Sequence, residues 1–148
     1  GLDFCSKLAK LNRGKADQNY PLFVLYNKAT IPDRKQHKKK YKKVLNSLIE
    51  GCKFLQKNKC KFIAMPCNTA HYWFLDLKEK IKIPILNMPE LVCFNISKNC
   101  KKIILGCTEL PIAIFAFKSF KKAKISKTFL DPNLILAEAS MKRYIIKK

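Results

Sequence analysis

The sequence predicts an α/β fold, a parallel sheet flanked by helices, and three observations predict it. Short apolar runs recur along the 148 residues, as in "PLFVLYN" (21–27), "KFIAMP" (61–66), "IPILNM" (83–88) and "KKIILG" (101–106). Such runs, bounded by proline or glycine, read as buried strands. Stretches with helical spacing alternate with them, and strand–helix alternation implies parallel pairing, because a crossover must return the chain to the same end of the sheet. Finally, 48% of the residues are apolar, enough to fill a core at this length.

Taken in order, "PLFVLYN" is a buried strand and "IPD" (31–33) its exit loop, since Pro32 discourages continuation. A long helix follows. Tyr41, Val44, Leu45, Leu48, Ile49, Cys52 and Leu55 recur at i, i+3, i+4 and i+7, with lysines on the other face. "KFIAMP" is the next strand, "NTAHYWFLDLKEK" (68–80) a helix and "IPILNM" a third strand, whereas 89–100 shows no clear pattern. "KKIILG" and "KTFL" (127–130) complete the strands. Asp131-Pro132 then caps a final helix with Leu134, Ala137, Met141, Tyr144 and Ile145 on one side.

The formal charge of +21 invites a nucleic-acid reading, but 28 of the 31 basic residues are lysines spread over every segment. Only Arg13, Arg34 and Arg143 are arginines. Base readout favours arginine, and no zinc-finger, homeodomain or RNP-like pattern appears, so no specific nucleic-acid partner is expected. The longest uncharged apolar stretch, "LPIAIFAF" (110–117), is far shorter than the roughly 20 residues of a membrane span. The opening "GLDFCSKLAK" carries no signal-peptide pattern. The expectation is a soluble, cytoplasmic chain without a membrane partner.

Seven cysteines are present, an odd number with no Cys-x-x-Cys pair, and the only histidines, His37 and His71, stand far apart. That disfavours a disulfide framework or a zinc ribbon, and no metal site is expected. Cys52, Cys60, Cys93 and Cys100 lie among apolar neighbours, where cysteine acts as a small buried hydrophobe. Cys67 and Cys107 are different. Each follows an apolar strand and precedes a helix, in "MPCNTAH" (65–71) and "LGCTELP" (105–111).

Ligands of open α/β sheets gather at the carboxyl ends of strands, and a helix N-terminus favours thiolate over thiol. Either cysteine taken alone could equally be a small residue tolerated in a tight turn. The duplication points further, to two thiols approaching one ligand from opposite sides. One thiolate would remove a proton from a Cα and the opposite thiol would return one, inverting configuration without a cofactor.

The two motifs resemble the signatures of the aspartate/glutamate racemase family, and in particular its aspartate racemase branch. "DFCSKL" (3–8) is similar to the family's first helix, "VLYNKATIPDR" (24–34) to its second strand and substrate loop, and "DPNLILAEAS" (131–140) to its last helix. Glu109 after the second Cys-Thr, together with "IPDR", carries the branch assignment. The resemblance implies racemisation of aspartate, or of a similar dicarboxylate, with no pyridoxal phosphate, metal or other cofactor.

It further implies that Cys67 and Cys107 are the acid/base pair, that Asn68, Thr69 and Thr108 hydrogen-bond substrate or orient the thiols, and that Asn27 and Arg34 face the substrate carboxylates. Arg34 fits independently, because a guanidinium just past a strand end supplies a planar fork for a carboxylate; an ordinary surface arginine is the alternative. His71 and Glu109 stand one turn into their helices as auxiliary candidates, and for His71 packing and proton handling are both open. Trp73 and Phe74 read as core. Homodimerisation is implied by the family alone.

The departures from the family are equally plain. Its members begin with a strand and a glycine-rich loop ahead of "DFCSKL", and a long segment separates their two cysteine motifs. Here Cys107 follows Cys67 by only 40 positions. The expected organisation is a nearly whole first lobe (1–96) and a reduced second lobe (97–148), which leaves a second reading, a racemase-derived remnant that binds a dicarboxylate without turning it over, beside a third, less favoured one from the charge, a basic nucleic-acid-associated protein.

Overall fold

The computed structural model describes residues 1–11, 18, 20–33, 37–96, 103–104 and 129–146. Helix α1 spans Leu2–Leu11, α2 spans His37–Lys57 and strand β1 is Ile63–Ala64. A 3-10 turn, Thr69–Trp73, runs into α3, Phe74–Lys80. Strand β2, Ile85–Leu86, is followed by α4, Met88–Ile96. Strands β3 (Ile103–Ile104) and β4 (Phe129–Leu130) precede the last helix, α5, Pro132–Ile146.

Pairing is parallel, as the alternation requires. In β1–β2, Ile63 stands opposite Ile85 and Ala64 opposite Leu86, while β3 pairs with β4 through Ile103–Phe129 and Ile104–Leu130. Successive residues of a strand point to opposite faces, and the cores divide accordingly. Ile63 and Ile85 join a cluster built by Val44, Leu45, Leu48 and Cys52 of α2 with Ala70, Trp73, Leu77 and Ile81. Ala64 and Leu86 join Phe4 and Leu8 of α1, Met88 of α4, and Leu136, Ala137 and Met141 of α5. The α/β reading holds: helices cover both faces of a parallel sheet.

The face of α2 is the one its periodicity predicts, with Val44 fully buried and Tyr41, Ile49 and Leu55 at the margin. That of α5 is rotated from the expected one. Leu134 and Ile145 are exposed, whereas Asn133 and Ser140 lie inside with Leu136, Ala137 and Met141. The polar pair is accommodated by hydrogen bonds: Ser140 Oγ donates to the Leu136 carbonyl (2.8 Å) and Asn133 Nδ2 to Asp3 Oδ2 (2.8 Å). Asp131 caps α5 as expected, its Oδ1 accepting the amides of Asn133 (2.9 Å) and Leu134 (3.1 Å). Lys7 of α1 bridges Asp3 (2.5 Å) and Asp131 (2.9 Å) and so ties the first helix to the last. Burial acts to lower the Lys7 ammonium, but its bonds to Asp3 and Asp131 outweigh that and raise it.

Two expectations are corrected. Residues 89–100 begin as helix: α4 starts at Met88, with the Asn87 carbonyl accepting the Leu91 amide (3.0 Å) and Asn87 Oδ1 facing the Glu90 amide (3.3 Å). Asn87 is an N-cap, and Pro89 costs nothing in a first turn whose amides lack helical partners. The second correction concerns 21–27, which forms no strand and takes no ladder partner among the described residues. Leu22 is 90% exposed, and Phe23, Val24 and Leu25 are 49%, 43% and 42% exposed.

An apolar run with open backbone edges is a template for association. The chain should therefore self-associate with rising concentration, and Leu22→Lys with Phe23→Lys should shift its sedimentation profile toward monomer while leaving far-UV circular dichroism unchanged. Equal association of parent and double variant would show that this run is not the contact.

Candidate active site

The strand-exit geometry at Cys67 follows from Pro66. The Cys67 amide donates to the Met65 carbonyl at 2.8 Å, a three-residue turn centred on the proline that ends β1 and redirects the chain. Asn68 then enters the 3-10 turn with helical backbone angles (φ −57°, ψ −49°), and its carbonyl accepts the His71 amide (3.1 Å). Cys67 is half-buried at the rim of the α2–α3 core, and Asn68 and Thr69 beside it are exposed. A thiol so placed contacts both the interior and solvent, the situation a reactive cysteine requires.

Of the other described cysteines, Cys5 and Cys60 are also half-buried, but they stand within α1 and just past the end of α2 and not at a strand exit. Cys52 is buried, and burial pushes its thiol up to about 11; burial also raises Cys60 and Cys5, both half-buried. All four described cysteines are free. Cys52 is thus a core residue as expected, Cys60 sits at the margin, and the side chains of Cys93 and Cys100 lie outside the described residues.

His71 closes the turn from the far side. Its Nδ1 stands 2.9 Å from the Cys67 carbonyl, and its Nε2 stands 3.1 Å from the Met88 amide nitrogen at the start of α4. The Leu86 carbonyl is 3.5 Å from the same Nε2. The ring stacks on Phe74, with centroids 6.0 Å apart and planes 15° from parallel. Burial holds His71 below the ordinary imidazole value, with the Cys67 and Leu86 carbonyls opposing the shift.

The sign of its pH effect follows. The unfolded chain protonates near the usual value of about 6.5 and the folded chain only lower, so between the two the unfolded state binds more protons. The histidine's contribution is complete above about pH 6.5 and is lost as pH falls toward the folded value. Urea midpoints should therefore decline below about pH 6.5 for the parent chain, and His71→Gln should flatten that limb. An identical decline in both proteins would assign the acid loss elsewhere.

Asn27, expected to face a substrate carboxylate, is exposed between two residues anchored on α2. Tyr26 packs on Phe54 (centroids 5.0 Å apart), and Lys28 Nζ pairs with Glu50 Oε2 at 2.6 Å. Gly51 is required there, because a Cβ on it would come within 2.9 Å of the Tyr26 ring. Arg34, Cys107, Thr108 and Glu109 lie outside the described residues. Trp73 is fully buried as expected, and Phe74 is half-buried.

A cavity of about 710 Å³ lies beside β2, lined by Phe74, Lys78, Ile85, Leu86, Glu90 and Leu91 among others, and none of the described substrate-binding candidates, Asn27, Asn68 and Thr69, lines it. Among the described residues no group of three or more His, Cys, Asp or Glu side chains could hold a metal ion, and no helix is long and apolar enough to cross a membrane. Sequence reasoning missed the partners of His71: Met88 is 17 positions away, and nothing in the local pattern announces the contact.

The parallel α/β sheet places the half-buried Cys67 just past the carboxyl end of β1, the edge at which open α/β sheets bind their ligands. The chain belongs to the Asp/Glu/hydantoin racemase family, whose model matches residues 1–102. Cys107 falls beyond that match. Among curated proteins it is 31% identical over 113 residues to the broad-specificity amino-acid racemase RacX of Bacillus subtilis (strain 168), covering 75% of this chain and 47% of that protein.

Two solved structures share the fold. One is an aspartate racemase homologue from Pyrococcus horikoshii OT3, with TM-score 0.59 and 23% identity over 82% of this chain and 54% of the other. The other, the Picrophilus torridus aspartate racemase, has TM-score 0.60 and 24% identity over 99% of this chain and 69% of its own. The chain thus spans about half the length of the curated relative it matches.

Proposed function

We propose that this chain is a cofactor-independent amino-acid racemase with aspartate as its favoured substrate. The observation that carries the reading is Cys67, a half-buried thiol at a strand exit, inside the "MPCNTAH" motif and inside the span matched to the family. On this reading Cys67 and Cys107 are alternately base and acid on the two faces of the substrate Cα. Asn68, Thr69 and Thr108 hold substrate or orient the thiols, Asn27 and Arg34 receive its carboxylates, and Glu109 is an auxiliary candidate. Neither pyridoxal phosphate nor a metal is needed.

Incubation of the purified chain with L-aspartate in deuterated water tests it. Deuterium should appear at Cα and D-aspartate should accumulate, with chelator present or absent. A second reading has its own support: the chain covers only 47%, 54% and 69% of the three relatives, and Cys107 lies past the family match. No exchange into either enantiomer, from protein whose circular dichroism shows it folded, would favour this remnant reading.

Arg34→Lys probes the carboxylate contact. An ammonium keeps the charge but cannot reproduce two parallel bonds, so kcat/KM should fall by roughly tenfold or more. An unchanged value would return Arg34 to the solvated surface.

A further inference from the structure

We infer that His71 is the positioning residue of Cys67: a neutral imidazole, protonated on Nδ1, that clasps the Cys67 carbonyl on one side and the Met88 amide on the other. Proton bookkeeping decides the tautomer. A backbone amide always donates, so the Met88 N–H, 3.1 Å from Nε2, requires a bare lone pair there. A carbonyl always accepts, so the Cys67 oxygen, 2.9 Å from Nδ1, requires a proton on that nitrogen. Only one neutral form satisfies both, and the doubly protonated ring would set an N–H against the Met88 N–H. The Leu86 carbonyl, at 3.5 Å, is the longer contact and would be served only by a ring protonated on Nε2, the opposite tautomer or the imidazolium.

This arrangement makes the turn that carries Cys67 and the β2–α4 junction one rigid unit. Cys67 leaves β1 through a three-residue turn closed by the bond from its own amide to the Met65 carbonyl (2.8 Å). Without a second restraint its carbonyl and side chain could pivot together. The imidazole supplies that restraint, and stacking on Phe74 (6.0 Å, 15°) fixes the ring plane. Both nitrogens are committed to backbone, so His71 has no proton to exchange with a substrate. Its effect on chemistry passes through the position of the thiol, where an error of about 1 Å can cost on the order of a hundredfold in rate.

The clasp itself stands on the contacts, and its catalytic consequence rests on the racemase reading; the test separates them. With only two histidines in the chain, long-range proton–nitrogen correlation spectra of the labelled protein at about pH 7, assigned with His37→Gln, read the tautomer directly. The expected result is a protonated Nδ1 and a bare Nε2 on His71. The opposite tautomer, or a rapid mixture, overturns the clasp.

The second arm compares His71→Ala with His71→Asn, whose amide nitrogen can take the place of Nδ1. Iodoacetamide labelling of Cys67, followed by peptide mass mapping, should speed up several-fold in the alanine variant and return toward the parent rate in the asparagine variant. In the deuterium assay kcat should fall roughly tenfold to a hundredfold with KM little changed, again partly rescued by asparagine. If both variants lose turnover equally and one limb of the pH–rate profile disappears, His71 handles protons and the inference is wrong. If the parent exchanges no deuterium, the racemase reading fails while the tautomer and labelling results still decide the clasp.

Discussion

On the proposed two-thiol mechanism, either Cys67→Ala or Cys107→Ala should cut inversion of aspartate by at least about a hundredfold, because that mechanism needs one thiolate to take a proton and one thiol to return it. Deuterium exchange does not vanish with inversion. The surviving thiolate can still remove and replace a proton on its own face, so each variant should label a single enantiomer, and the two variants should label opposite ones. Chiral chromatography with mass detection of each enantiomer reads this directly. Cys52→Ala serves as the control: its thiol is buried and pushed up to about 11, so it should alter stability and leave the exchange pattern intact. Inversion persisting in both single variants would refute the two-thiol mechanism.

Trp73→Ala should be the most destabilising single change in the α2–α3 core, costing about 3–5 kcal/mol by urea unfolding. The indole is fully buried, with Tyr41 and Tyr72 rings 5.6 and 5.3 Å from it, so truncation leaves a large void. Trp73→Phe should cost much less. The indole Nε1 is buried without a hydrogen-bond partner among the described residues, so phenylalanine gives up volume but also removes a donor whose unpaired burial costs about 1–3 kcal/mol. Trp73 is the only tryptophan, so unfolding must be followed by circular dichroism. Equal losses in the two variants would mean that the cost does not follow the volume removed and would refute the cavity argument at this site.

The neighbouring Tyr41–Asp76 bond shows how the core continues to the surface. At 2.5 Å it joins α2 to α3, and hydrogen bonding to the Asp76 carboxylate raises the Tyr41 phenol to about 12, with burial and the carboxylate charge adding to the effect.

Helix α2 was legible because a lysine-rich face opposes an apolar one, so periodicity alone orients it. Helix α4 was not, because "MPELVCFNI" has almost no polar face and opens with a proline; only the Asn87 cap marks it. The face of α5 was misjudged because hydropathy ranks Leu134 above Asn133. The reverse holds once Asp3 is in place to receive the asparagine amide.

At the site, the strand–Pro–Cys–Asn-Thr pattern was enough to place Cys67 at a strand exit, because proline ends β1 and the following residues can start a helix. The role of His71 was left open by the same letters, since both its tautomer and its function depend on a backbone amide in another element.

By itself the sequence determined the α/β alternation, the parallel pairing, the apolar face of α2 and the position of the Cys67 turn. Each of these is set by interactions over a few residues: periodic hydrophobicity, proline's lost amide and the geometry of a short crossover. The tertiary structure alone decided which side of α5 is buried, what the histidine touches and whether an apolar run is covered. "PLFVLYN" has the composition of a buried strand, yet Leu22 is 90% exposed. Burial is a relation between a segment and whatever packs against it, and a strand's hydrogen bonds are made with a neighbour its own residues do not specify.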